Sequence, residues 1–120
     1  MRIVKSGAGW RIGFDPEAKE FKGLVGAEDW AIELTQAELE DFCRLSMQLS
    51  NTMSQMEQEL MDEEAIACEA ESNFIWMEVE GYPRAYSLRL ILNTGRRVEV
   101  SWAADAVPDL IRAAQMLFVF

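Results

Sequence analysis

The stretch TQAELEDFCRLSMQLSNTMSQMEQELM, residues 35–61, decides how this chain folds. Thr35 stands three residues before Glu38, the spacing of a capping box. In that motif each side chain satisfies a backbone N–H that the first helical turn leaves open. Leu39, Phe42, Ser46, Leu49, Met53, Met56 and Leu60 follow at alternating three- and four-residue steps, drawing one apolar stripe along a helix. No Pro or Gly interrupts the run. The expectation is a helix from Thr35 to about Met61, roughly 35–40 Å long, enough to cross a small sheet.

On both sides of this stretch the period changes from helical to alternating. Before it, Trp10, Ile12 and Phe14 alternate with Arg11 and Gly13, and Asp15-Pro16 ends that strand. Phe21 to Val25 reads as a glycine-weakened strand and Trp30 to Leu34 as a third. After it come Ala65 to Glu71 and, past Ser72-Asn73, Phe74 to Glu80. Both faces of the latter are apolar at its start, which places it centrally or under cover. Gly81-Tyr82-Pro83 is expected to break it.

Tyr86 to Leu92 and Val98 to Trp102 form the best hairpin in the chain. If Leu92 faces Val98, then Leu90 faces Val100 and Leu88 faces Trp102, leaving one face wholly apolar. Asp105 is expected to cap a final helix with Pro108 in its first turn. Its apolar side is Val107, Leu110, Ile111, Ala114, Leu117 and Phe118. No linker and no internal sequence repeat stands out. The fold class is therefore α+β, a single domain over 1–120: an antiparallel sheet packed on one long helix, plus a short C-terminal helix.

Half the residues are hydrophobic, the formal net charge is -10 and the pI is about 4.4. Between Arg44 and Arg84 there is no Lys or Arg, and that interval alone carries nine carboxylates. The simplest role for such a charge is a solvated face. The sharper one is an acidic docking surface for a basic protein partner. Proteins that bind nucleic acid through its phosphates usually carry the opposite sign, so nucleic acid is an unfavourable partner. The same field repels an anionic membrane. No apolar run approaches a bilayer span or a signal-peptide core, and a cytoplasmic protein is expected.

Histidine is absent. That removes Ser-His-Asp and Cys-His nucleophilic systems and every imidazole-bound zinc site. Cys43 and Cys68 stand at apolar positions and read as small, reduced, inaccessible core residues. Asp62-Glu63-Glu64 lacks the ligand alternation and glycine of a calcium loop. Gly7-Ala8-Gly9 precedes a strand, whereas a phosphate loop follows one. No catalytic residue, metal or cofactor is expected, and the chain reads as a non-enzyme. Three of the four tryptophans alternate in register with aliphatic residues and read as core. Trp76 is the exception, because its face continues into Glu78 and Glu80. With Glu69 and Glu71 on the preceding strand, these define the candidate interaction surface. Arg89, Arg97 and Glu99 on the next strands are expected to pair charges across it.

Gly9-Trp10-Arg11, the run from Asp29 to Thr35, Leu39 to Cys43, and Arg97-Val98-Glu99-Val100 resemble a small family of uncharacterised cyanobacterial proteins, over nearly the whole chain. The resemblance implies a curved antiparallel sheet wrapped on a long helix, likened both to the cystatin-like fold and to the Whirly type of single-stranded-DNA-binding domain. That family has no established activity, so it assigns no site. The acidic stretch from Glu57 to Glu80 departs from what a nucleic-acid binder needs.

The leading expectation is a protein-interaction or regulatory domain. Its alternatives are a small-molecule site between sheet and long helix, and single-stranded nucleic-acid binding. A homodimer is expected as well. The sequence ends Met116-Leu117-Phe118-Val119-Phe120, an apolar run whose Leu117, Phe118, Val119 and Phe120 are the candidate dimer contact.

Overall fold

The computed structural model describes residues 1–57, 59 and 64–118. The strands form two four-stranded antiparallel sheets instead of the single sheet expected. The first contains β1 (Ile3–Gly7), β2 (Trp10–Phe14), β3 (Gly23–Gly26) and β4 (Ala31–Leu34); the second contains β5 (Ile66–Glu71), β6 (Ile75–Tyr82), β7 (Ala85–Leu92) and β8 (Glu99–Trp102). Helix α1 (Gln36–Met56) follows the first sheet and α2 (Val107–Met116) the second. The chain thus runs twice through four strands and a helix. This repeat lies in the order of elements, where reading residues for similarity does not find it.

Helix α1 forms as its first turn dictates. Thr35 accepts a hydrogen bond from the Glu38 N–H (3.2 Å), and Glu38 accepts one from the Thr35 N–H (2.8 Å). Leu39, Phe42, Ser46, Leu49 and Met53 are buried along the stripe, joined by Leu45 and by Glu38 itself. Met56 is half-buried, and Leu60 and Met61 lie outside the described residues. The helix packs against β5, β6 and α2, and touches β3 and β4. Fully burying a side chain such as Phe42 or Leu49 stabilises by roughly 2–3 kcal/mol, so this stripe anchors both sheets.

The hairpin register holds: Leu88 pairs with Trp102 and Leu90 with Val100, and the Leu92 N–H donates to the Val98 carbonyl at 2.9 Å. Strand β6 is interior to its sheet, as its two apolar faces require. It also continues through Gly81 and Tyr82, so the expected break falls later, at Pro83-Arg84. Strand β1 was not foreseen, because Lys5 and Gly7 dilute the face it turns toward Ile12 and Trp10. Asp105 does not cap α2. The chain makes a turn in which the Ala106 N–H donates to the Ala103 carbonyl, and the N-cap is Ala106, without a side-chain cap.

Trp10 and Trp102 are buried, and half-buried Trp30 packs beside Trp102 with ring centres 5.2 Å apart. The Trp102 indole N–H donates to the Gly26 carbonyl at 2.8 Å, tying the second sheet to the β3–β4 turn of the first. A second tie is ionic. Buried Glu38 accepts from Thr94 Oγ1 at 2.8 Å and pairs with Arg96, whose guanidinium also donates to the Glu33 carbonyl at 2.6 Å. Both cysteines correct expectation: they pack against the core but are only half-buried.

Candidate interaction surface

Alternation along β5 and β6 sends Ala70, Ile75, Met77 and Val79 to the core and Glu69, Glu71, Trp76, Glu78 and Glu80 to the outside. All five sequence-derived candidates therefore share one face. The register arranges them in rows across the strands. Glu71 stands opposite Trp76, which stands opposite Ile91 and then Glu99; Glu69 stands opposite Glu78, which stands opposite Arg89 and then Ser101.

Arg89 is the centre of this face. Its guanidinium lies 3.2 Å from a Glu78 oxygen, 3.9 Å from one of Glu99, and 4.9 Å from the centre of the Trp76 ring. The charge pairing expected of Arg89 and Glu99 is present. Arg97 takes no part: it sits in the turn before β8 with φ at 51°. Arg89 belongs to the surface as much as the carboxylates do, and its position opposite Glu78 is readable once the β6–β7 register is set.

Glu69, Glu71 and Glu80 are exposed, and among the described residues none has a cationic partner. Two carboxylates directly opposite each other, as Glu69 and Glu78 are, destabilise a sheet by a few tenths of a kcal/mol. A half-exposed pair such as Arg89–Glu78 returns about 0–1 kcal/mol. This arrangement gains the fold very little. Beside it is an open depression of about 540 Å³, lined by Glu78, Glu80, Ser87, Arg89, Ser101 and Ala103. The face holds no buried carboxylate of the kind acid–base chemistry uses. Glu38 is the buried one among the described residues, and it is occupied in the capping box and the Arg96 pair.

The space between the sheets and α1, where the alternative reading put a small-molecule pocket, holds Leu39, Phe42, Leu49, Met53, Met77 and Val79, all buried. Among the described residues no group of three or more Cys, Asp or Glu side chains is placed to hold a metal ion. The Asp62-Glu63 part of the acidic run lies outside the described residues. No described helix is long and apolar enough to cross a membrane. At the C-terminal end, Leu117 is buried within its own chain and is not available for a dimer contact. Half-buried Phe118 packs edge-on against Phe14, ring centres 5.0 Å apart, while Val119 and Phe120 lie outside the described residues. Met116, which was not singled out, is 51 % exposed.

Two four-stranded antiparallel sheets, each followed by a helix, with an ionic face on the second, define an α+β domain. The family model for a domain of unknown function, DUF1818, matches residues 5–117, and the chain belongs to that family. It is similar to the crystal structure of a protein with unknown function, given as DUF155 family, from the cyanobacterium Prochlorococcus. The two are 32% identical with a TM-score of 0.92, over 98% of this chain and 99% of that one. No curated protein matches the chain.

Proposed function

We propose that the chain is a non-enzymatic interaction domain that presents the outer face of β5–β8 to a basic protein partner. The observation that carries this reading is the group of Glu69, Glu71 and Glu80 on one face, exposed and without a cationic partner among the described residues, around an Arg89 already held by Glu78 and Glu99. Lysine or arginine side chains of a partner would complete the pairing that the fold leaves open. Labelled lysine-rich peptide titrated into the protein at low salt should bind and weaken as salt is added. Changing Glu69, Glu71 and Glu80 to Lys together should weaken it by about tenfold or more. Equal binding by that variant would overturn the proposal.

The Whirly-type likeness is part of the same proposal at the level of architecture. What supports it is that each β-rich unit ends in a helix and that α1 and α2 pack together. A fold shared with nucleic-acid binders is an analogy, and the charge on this face opposes the function. Fluorescence anisotropy with single-stranded and duplex DNA and RNA should show no binding at physiological salt.

We also propose a homodimer through the end of α2. Exposed Met116 lines a recess of about 250 Å³ whose floor is apolar, with Trp10 and Ala113, and whose rim carries Lys5, Asp109 and Arg112; a two-fold contact would cover it. Light scattering at protein concentrations on the order of tens of micromolar should report a dimer mass, and a monomer would overturn it.

A further inference from the structure

We propose that the basic partner binds by adding a strand to the free edge of β5, with its Lys or Arg side chains on the outer face; this rests on the acidic-face reading above. An antiparallel edge strand turns every second N–H and C=O away from its neighbour, ready to pair with another chain. The outer strands of the two sheets are β1, β4, β5 and β8. Strand β4 has four residues and its Glu33 carbonyl is taken by Arg96. Strand β8 has four residues and lies on the side where Trp102 is tied to the first sheet. That leaves β1 and β5 as the longer edges, free among the described residues.

These two edges differ in one respect that governs strand addition. On β1, Lys5 is paired with Ile12 and so shares the core-facing side of its sheet. A charge on the inward side of an edge strand deters another strand from docking there. On β5 the corresponding side carries Ile66, Cys68 and Ala70, with no charge. All six residues of β5 pair with β6, and among the described residues no other backbone bond engages them.

The outward side chains of β5 then select the occupant. Glu69 and Glu71 would stand near their own copies if two β5 edges paired, and like charges across strands repel. Self-pairing is disfavoured, whereas a strand with Lys or Arg at alternate positions meets carboxylates on one side. On the other side, small apolar residues would cover half-buried Ile66 and Cys68.

The test uses the full chain and an eight-residue peptide of alternating Lys and Val, with amide hydrogen exchange read residue by residue. We expect binding that weakens with salt and slows exchange of alternate amides within residues 66–71 by about tenfold or more. Binding that shifts the resonances of Glu69, Glu71, Trp76 and Glu80 but leaves exchange in β5 unchanged would overturn edge addition while leaving the acidic-face reading in place. No binding at low salt would overturn that reading, and edge addition with it.

Discussion

The two strand-and-helix units share an order of elements but are built by different means. The first sheet has strands of four or five residues and buries glycines Gly13, Gly23 and Gly26 within them. Close approach of sheet to helix is its device: a Cβ at Gly23 would lie 2.9 Å from the Leu39 Cβ of α1, whereas one at Gly81, the tight glycine of the second sheet, would meet the backbone and Cβ of its own hairpin, at Ala85 and Tyr86. The second sheet has strands of up to eight residues, and large aliphatic side chains fill its inner side. Its charges are ranked on the outer side. Where it meets α1 the first unit depends on a missing side chain, and the second on what it buries and what it leaves outside. Only the second has a face whose composition exceeds what stability requires.

Removing the ionic joint between the units is the most severe way to break this comparison. Glu38→Ala removes half of the capping box and leaves Arg96 and Thr94 without their shared acceptor. Losing a cap costs about 1 kcal/mol and breaking a buried pair several, so a loss of about 3 kcal/mol is expected from urea unfolding. A loss below about 1 kcal/mol would show that the two units are stable without the joint.

Glycine substitutions sharpen the contrast next. Gly23→Ala forces α1 or β4 to move, because the new Cβ also meets the Leu34 Cβ at 3.3 Å. Overpacking of this kind costs about 2 kcal/mol. Gly95→Ala, in the β7–β8 turn, meets nothing within 4 Å and is strained only by its φ of 87°. About 1 kcal/mol is expected there. Equal effects in thermal or urea unfolding would refute the claim that Gly23 is needed for the first sheet to approach α1. Trp102→Phe replaces the buried indole by a smaller ring and leaves the Gly26 carbonyl without its donor, for about 2 kcal/mol once the space left in the core is added to the lost hydrogen bond.

What the sequence made legible follows the range of the forces involved. The α1 cap and stripe are local, and so is the β7–β8 register, because alternation and a short turn determine them. The five outward residues of β5 and β6 could be placed on one face from period alone. Strand β1 was hidden by Lys5 on its core side, which is also what distinguishes that edge. The partition into two sheets was not legible, because alternation says which way a side chain points and not which strand lies beside it. The Glu38–Arg96 pair joins residues 58 positions apart, and nothing near either residue announces the other. Arg89 was expected to pair charges across the candidate surface, but its place opposite Glu78 and beside Trp76 follows only from the cross-strand register.

The two thiols give the smallest and most local test, one on the shared helix and one in the second unit. Burial pushes the Cys43 thiol up to about 12 from 9.0, with the nearby Glu40 carboxylate adding to it. The folded chain therefore keeps this proton between about pH 9 and 12, where the unfolded chain has lost it. By linkage the contribution of Cys43 to stability is fully present below pH 9 and declines as pH rises toward 12. A Cys68→Ser chain isolates Cys43. At pH 8 its labelling by a thiol reagent should be at least about tenfold slower in the native state than in denaturant, because the thiolate is the reacting form. A Cys43→Ala chain should lose part of the decline in unfolding midpoint above pH 9. Native labelling as fast as denatured labelling would mean that α1 opens at Cys43, and that the stripe joining the two units is less secure than its burial implies.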